Sequence, residues 1–445
     1  MKQRLSLQNI IGMSFMTFAL FLGAGNLIFP PLAGQLAGTQ VWLAAAGFLI
    51  TGVGLPLLAV IMVSRVGGRF NDISRELPRS LIVLMGCCIY TIVVPIYGAP
   101  RTGLVAYEIG VIPFLKEPDA ISRLIYSITF FGISWYLSLY PGKLLESVGK
   151  IITPALILLL IILGIAPIIS PLGEAGEPMN DYAGNAFVRG FLEGYMTMDA
   201  LAALLFSIVI ITNLKSHGIT SPNALVRHSI ITGCIAACGL ALVYLSLFNL
   251  GTTSRDIIQH PQNGGQILSA YVSNLFGHYG NVLLATVVSL ACLTTSIGLI
   301  TAASEYFCEL SKKLNYKVLV AVISISCMMF ANLGLNQIIE LFIPVLLILY
   351  PVCIALILLG LIRDLMPNPQ LVYRATLFVT FLLSLVDASK GLNHPLADEL
   401  LEPFKALPGH DFNLSWVIPF VITIALTCLA GRFTRSPSPA HEDQA

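Results

Sequence analysis

Phe15-Met-Thr-Phe-Ala-Leu-Phe-Leu-Gly-Ala-Gly-Asn-Leu-Ile-Phe-Pro-Pro31 is an apolar stretch with a flexible break at its midpoint, Gly23-Ala24-Gly25-Asn26. Each glycine weakens helix continuity by about 1 kcal/mol relative to alanine, and asparagine is a poor interior helix residue that caps well. A second half-helix is therefore expected to start near Asn26 or Leu27. Pro30 and Pro31 then fall in its first turn, where backbone amides have no intrahelical partner to lose. In an unbroken helix each proline would cost about 3 kcal/mol. A packing kink with close-contact glycines is the alternative reading of the same residues.

The surroundings are those of a membrane protein. Of the 445 residues, 56% are hydrophobic and 11% charged, and the mean hydropathy is +0.85, whereas a soluble domain carries roughly 25% charged residues. A net charge of +1 with dispersed Lys and Arg offers no basic surface, so nucleic-acid binding is set aside. All nine cysteines lie in or beside apolar runs, as small packing residues do, and not in the polar loops where disulfides or zinc sites sit. No His-Glu-x-x-His, phosphate-cradling or nucleophile-elbow motif occurs, so neither an enzyme nor a bound cofactor is expected. The first apolar run is too long, and too directly followed by a second, for a cleaved signal peptide.

Cutting the chain at its polar and Pro/Gly-rich joints yields about twelve segments of spanning length. They are 7–36, 40–64, 80–110, 120–139, 147–168, 187–213, 225–250, 280–307, 317–333, 337–362, 371–389 and 413–431. The stretch from Thr252 to Tyr279 is too polar to span and reads as an outer loop with one or two surface helices. Positive charge collects on one side: Lys2 and Arg4, then Arg65, Arg69, Arg75 and Arg79, Lys143 and Lys150, Lys215 and Arg227, Lys312, Lys313 and Lys317, Arg363 and Arg374, Arg432 and Arg435. Both termini are therefore expected in the cytoplasm. The expectation is one transmembrane domain over 1–431, followed by a disordered cytoplasmic tail, 432–445.

Span 6 repeats the theme of span 1, with Gly194-Tyr-Met-Thr-Met-Asp199 interrupting an apolar run. An ionisable residue at that depth costs a few kcal/mol and faces a cavity or a partner. Asp199 is thus a functional candidate, or else a buried carboxylate bonded to Arg101 or to helix-end amides. Spans 1 and 6 open two successive groups of five, about 7–168 and 187–362, and an odd number of spans inverts the second group. Interrupted helices at matching positions of inverted halves point to the substrate site of a secondary transporter. Such a site suits a zwitterion: amides starting the second half of span 1 for a carboxylate, carbonyls ending the first half of span 6 for an ammonium. In span 8, Thr294-Thr295-Ser296 offers hydroxyls for a small sodium site, although such hydroxyls also bond to their own helix. Tyr97, Tyr195, Met196 and Met198 are wall candidates or core packing. Arg101, well within span 3, is a candidate outer gate paired with Asp199 or Glu193, or a snorkelling residue. The histidines fall in loops or at helix ends, which leaves a histidine proton relay without support.

Phe18 to Pro31, Gly194 to Leu204 and Ala291 to Gly298 together resemble the bacterial branched-chain amino acid:cation symporters, the BrnQ-type carriers, and the likeness runs through essentially the whole chain up to the tail. The resemblance implies an all-α polytopic membrane protein of the leucine-transporter-like fold: two inverted five-helix repeats with broken helices 1 and 6, plus two extra helices over about 371–431. It implies import of leucine, isoleucine and valine across the bacterial inner membrane by sodium symport with alternating access, the coupling ion being the only inorganic partner. Carried over by position, the Gly25-Asn26 pair matches the unwound part of span 1, and the amides of Ala24 and Gly25 would meet the substrate carboxylate; with Tyr97, Tyr195, Met196, Thr197 and Asp199 from the reading of spans 3 and 6, these make up the expected substrate site. Backbone carbonyls of Ala19 and Leu22 would join Thr294 and Thr295 around sodium. Phe29 stands where the broader pattern has a gating arginine. The rival within transport is proton coupling through Asp199.

Overall fold

The computed structural model describes residues 5–67, 73, 75–140, 153–390 and 402–433. The start of the fifth expected span (147–152) and the tail from 434 onward lie outside the described residues, as do Lys2, Arg4, Arg69, Lys143, Lys150 and Arg435 of the charge pattern. Among the described residues there are helices and no strands. In chain order the helices are α1 Leu7–Phe21, α2 Ala24–Ala37, α3 Val41–Leu49, α4 Leu55–Val66, α5 Arg79–Thr91, α6 Ala99–Gly110, α7 Ala120–Ser138 and α8 Thr153–Ile169. The second half supplies α9 Asp181–Met196, α10 Asp199–Ser216, α11 Pro222–Thr252, α12 Gly264–Leu310, α13 Tyr316–Ala331, α14 Leu335–Ile362, α15 Pro369–Ser389 and α16 Val417–Phe433. Short π-helical stretches, Ile50–Gly54 and Ile92–Gly98, join α3 to α4 and α5 to α6.

Composition explains where these helices lie and capping explains several of their starts. Among the described residues, seven continuous helical runs are long and apolar enough to cross a membrane, and Leu7–Phe21, Leu156–Ile169, Tyr316–Ala331 and Val417–Arg432 are shorter apolar helices. Ser6 caps α1 by accepting from the Asn9 amide at 3.2 Å, and Asp119 caps α7 by accepting from the Ser122 amide at 2.8 Å. Asn263 caps α12 through the Gly265 amide at 3.0 Å. Each side-chain oxygen satisfies an amide that the first helical turn leaves open. The eighth run begins earlier than 280: a helix starting at Gly264 joins the spanning segment through Gly277, whose φ of 60° marks a kink within 47 residues. The outer surface helix expected between Thr252 and Tyr279 is the part before that kink.

The chain divides into two compact units. The larger comprises residues 1–70 and 86–343. Within it α9 packs on α3, α2 and α1 on α11, and α10 on α4, while α6, α7, α12 and α13 pack on one another. The first group meets the second where α2, α10 and α1 lie against α12, and both helix breaks sit along that seam. Contact between α2 and α11 is backbone against backbone. A Cβ on Gly34 would overlap the Phe248 carbonyl, and one on Gly251 would overlap the Pro31 carbonyl. Small residues at such crossings let membrane helices approach closely.

The smaller unit comprises 71–85 and 344–445, in which α15 packs on α16. Arg363 donates through Nε (2.8 Å) and Nη2 (2.6 Å) to Glu76 Oε1. Buried Asp387 accepts from Lys390 Nζ at 2.8 Å and from the amide and hydroxyl of Ser415 at 3.0 and 2.6 Å. That carboxylate ties the end of α15 to the approach to α16.

Candidate functional site

The span 1 break is two residues long. α1 ends at Phe21, and the Leu22 amide still bonds to Phe18 O at 2.8 Å. Gly23 is extended (φ −114°, ψ −163°) and α2 starts at Ala24. The Gly23 amide donates to Asn26 Oδ1 at 3.1 Å, so Asn26 closes the break from the third position of the new helix and is not its first residue. This corrects the expected placement of the prolines. Pro30 and Pro31 lie inside α2, beyond its first turn, because the helix restarts two to three residues earlier than Asn26 or Leu27. Lacking N–H groups, they leave the carbonyls of Asn26 and Leu27 without their usual partners. The amides of Ala24 and Gly25, in the first turn, have no intrahelical acceptor.

The span 6 break lies at Thr197 and Met198. Met198 adopts a left-handed conformation (φ 67°, ψ 14°), unusual for a residue with a side chain. Thr197 Oγ1 donates to Gly194 O at 2.9 Å. Asp199 is the first residue of α10, where the positive end of the helix dipole favours a carboxylate. Asn26 Nδ2 donates to Asp199 Oδ2 at 2.8 Å, and Tyr244 OH from α11 donates to the same oxygen and lies against Asn26 Nδ2. All three side chains are buried. One carboxylate oxygen therefore ties the two breaks to α11.

Sequence reasoning missed Tyr244. Its signal is a hydroxyl inside the apolar run Leu242-Val-Tyr-Leu245, which must find a partner when buried.

Arg101 corrects a second expectation. It is buried, with 4% of its surface exposed, and does not snorkel. Nη1 donates to Met196 O at 2.5 Å and to Tyr97 OH at 3.1 Å, and Nη2 donates to Thr197 O at 3.0 Å. Its guanidinium carbon lies 4.9 Å from the Tyr97 ring centroid and 5.5 Å from that of Phe29, within cation–π range. No ion pair joins it to Asp199 or Glu193 among the described residues. Glu193 is held by Arg189 at 2.9 Å, and Asp199 by Asn26 and Tyr244. The carbonyls that end α9 form the negative end of a helix dipole, and that attraction draws the guanidinium to them. The cation on these carbonyls is thus part of the chain.

The two breaks enclose a cavity of about 30 Å³. Its lining comprises the backbone of the span 1 break at Gly23, Ala24 and Gly25, the polar residues Asn26, Thr197, Asp199, Arg101, Thr102 and Thr295, and apolar residues that include Leu20, Phe21, Val93, Met198, Ala202, Phe206 and Leu299. Phe21 and Phe206 meet edge-on, ring centroids 6.3 Å apart. Of the residues proposed from sequence, Tyr97 and Met196 stand behind the lining and hold Arg101, and Tyr195 packs edge-on against Phe191. In the expected sodium set, Thr295 Oγ1 reaches Leu22 O at 3.4 Å, while Thr294 Oγ1 turns back to Ala291 O at 2.8 Å. Ala19 is buried one turn before the break.

Residues 6–434 match the family model described as branched-chain amino acid transport protein. The branched-chain amino acid transport system 2 carrier protein of Pseudomonas aeruginosa is 44% identical over 434 residues, covering 97% of this chain and 98% of that one. The chain belongs to the branched-chain amino acid transport protein family. Its members are transporters and not enzymes. Within this family it is also 40% identical over 432 residues to the branched-chain amino acid permease BrnQ of Escherichia coli, with 97% and 98% coverage. Among solved structures it resembles MHP1, a nucleobase-cation-symport-1 family transporter in a closed conformation with bromovinylhydantoin bound, at a TM-score of 0.61, 14% identity and coverage of 95% and 92%. At that identity the likeness concerns the fold alone, which is the transporter fold that the broken helices pointed to.

Proposed function

We propose that this member of the branched-chain amino acid transport family imports leucine, isoleucine and valine across the bacterial inner membrane by sodium symport with alternating access, both termini being cytoplasmic. The observation that carries the reading is the meeting of both helix breaks at one buried cavity with opposite charges and an aromatic wall on its lining. The free amides of Ala24 and Gly25 face an anionic group, Asp199 supplies counter-charge for an ammonium, and Phe21, Phe206, Leu20 and Leu299 surround an aliphatic side chain. Sodium is assigned to Leu22 O and Thr295 Oγ1, with Ala19 O and Thr294 as further oxygens. A cavity of about 30 Å³ has room for about one water, so admission of an amino acid requires the helices around the breaks to move. This is the displacement that alternating access requires.

Leucine uptake into proteoliposomes, driven in turn by a sodium gradient and by a pH gradient, tests the proposal. Sodium-driven accumulation is expected. Uptake indifferent to sodium but driven by pH would transfer coupling to Asp199, and absence of uptake of any aliphatic amino acid would refute the substrate assignment. Valine, one methylene shorter than leucine, should compete with it within roughly 10- to 200-fold, since one methylene in an apolar pocket is worth about 1–3 kcal/mol, and isoleucine, an isomer of leucine, should compete as well.

The ion site makes a separate prediction. Thr295→Ala should raise the sodium concentration for half-maximal uptake by about 10-fold, the value of one charge-assisted contact, and Thr294→Ala should raise it less. Equal sodium titrations for wild type and Thr295→Ala would move the ion elsewhere.

A further inference from the structure

The guanidinium of Arg101 is only partly used. A planar guanidinium carries five N–H donors. Three are engaged, by Met196 O, Tyr97 OH and Thr197 O. Nε has no hydrogen-bond partner among the described residues although it is buried, and the second hydrogen of Nη2 is likewise unassigned. A buried charged donor left unsatisfied is costly, and this one belongs to a side chain on the cavity lining.

One of the two, Nη2, lies beside the span 1 break. Nη2 lies 2.8 Å from where a Cβ on Gly25 would stand, so the absent side chain is what admits the guanidinium beside the Ala24 and Gly25 amides. The acidic group on the same lining forms no ion pair with it among the described residues, and Asp199 Oδ2 receives Asn26 and Tyr244. Tyr97, Phe29 and the two carbonyls ending α9 hold the group in place. Paired Arg donors and two parallel carboxylate oxygens form the bidentate arrangement for which arginine is suited and lysine is not.

We propose that Arg101 binds the α-carboxylate of the transported amino acid directly, through Nε–H and Nη2–H, alongside the amides of the span 1 break. This inference rests on the amino acid substrate proposed above. It assigns to a side chain of α6 a part of recognition otherwise left to backbone, and it requires that the substrate ammonium be accommodated away from the Met196 and Thr197 carbonyls, which Arg101 occupies.

Equilibrium binding of leucine and of leucinamide, which lacks the carboxylate, to the purified full-length transporter in saturating sodium tests it. Wild type should prefer leucine. Arg101→Gln is expected to weaken leucine binding by roughly 100-fold, the scale of two charge-assisted hydrogen bonds, and to leave leucinamide binding within about threefold, so that the preference collapses. Arg101→Lys, which keeps the charge without the fork, should fall between the two. Leucine affinity unchanged in Arg101→Gln, or an equal loss for leucine and leucinamide, overturns the proposal, the second outcome marking a purely structural role.

Should neither variant be monodisperse, wild-type protein carrying ¹⁵N-arginine and loaded with carboxyl-¹³C leucine decides the matter by solid-state NMR. A dipolar contact between the carboxyl carbon and guanidinium nitrogens is expected, and its absence overturns the assignment. Failure of wild type to bind leucine at all would instead refute the substrate reading on which this one stands.

Discussion

Replacing Asp199 with asparagine is expected to reduce sodium-driven leucine uptake by at least about 100-fold. The carboxylate is the point at which α2, α10 and α11 are joined: Asn26 and Tyr244 both donate to its Oδ2. Hydrogen bonds to a charged group contribute about 1.5–3 kcal/mol each, against about 1 kcal/mol for neutral pairs. An amide in its place makes weaker bonds and also presents donors to a position built from donors. If Asp199 in addition supplies counter-charge for the substrate ammonium, that attraction is lost with it. Asp199→Glu keeps the charge but displaces it by a methylene, and should retain more activity than Asp199→Asn. Initial rates of labelled leucine uptake, normalised to folded protein in the vesicles, provide the measurement. Rates within threefold of wild type for Asp199→Asn would show that the carboxylate is dispensable both to the junction and to substrate.

The second large effect is expected from Gly34→Leu and Gly251→Leu, which should each lower the apparent unfolding midpoint in detergent by about 5 °C or more and abolish uptake. A side chain at either position meets backbone: Phe248 O in one case and Pro31 O in the other. Backbone cannot rotate aside as a side chain can, so α2 must separate from α11, and Asn26 then separates from Tyr244. Gly12→Ala serves as the comparison, since a Cβ there meets nothing within 4 Å and alanine favours the helix. A melting curve for Gly34→Leu that overlays that of Gly12→Ala would mean that the two helices do not cross as described.

Both predictions concern features that the linear sequence displays only in part. Gly23-Ala24-Gly25-Asn26 and the Thr197-Met198 interruption are legible because a break in an apolar helix needs local means: glycine, a capping amide, a hydroxyl. The exact restart is less legible. Pro30 and Pro31 suggest a helix beginning at Asn26 or Leu27 if proline is to sit in the first turn, yet α2 starts at Ala24, and both prolines are carried inside it. The preference of proline for a first turn is worth a few kcal/mol, and the packing of α2 against α11 and α12 outweighs it.

Arg101 shows the same limit. Its depth in span 3 follows from hydropathy, but its partners lie 95 and 96 residues away on the carbonyls of Met196 and Thr197, and opposite charge alone suggested Asp199 or Glu193. Backbone carbonyls carry no letter in a sequence, so a dipole at a helix end is visible only once the end is located in space. Thr294 and Thr295 are a finer case. Neighbouring residues on a helix point about 100° apart, so only one of the two faces Leu22 O, and the rotation of α12 about its axis determines which.

The polytopic α-helical architecture and the interruptions in spans 1 and 6 are legible in the linear chain, because hydrophobicity, glycine and proline act on the residues immediately around them. That Tyr244 joins Asn26 and Asp199, that Arg101 occupies the carbonyls ending α9, and that Thr295 rather than Thr294 reaches Leu22 emerge from the packed fold alone. Each of these depends on where helices distant in the chain cross, and that is set by the summed packing of their faces.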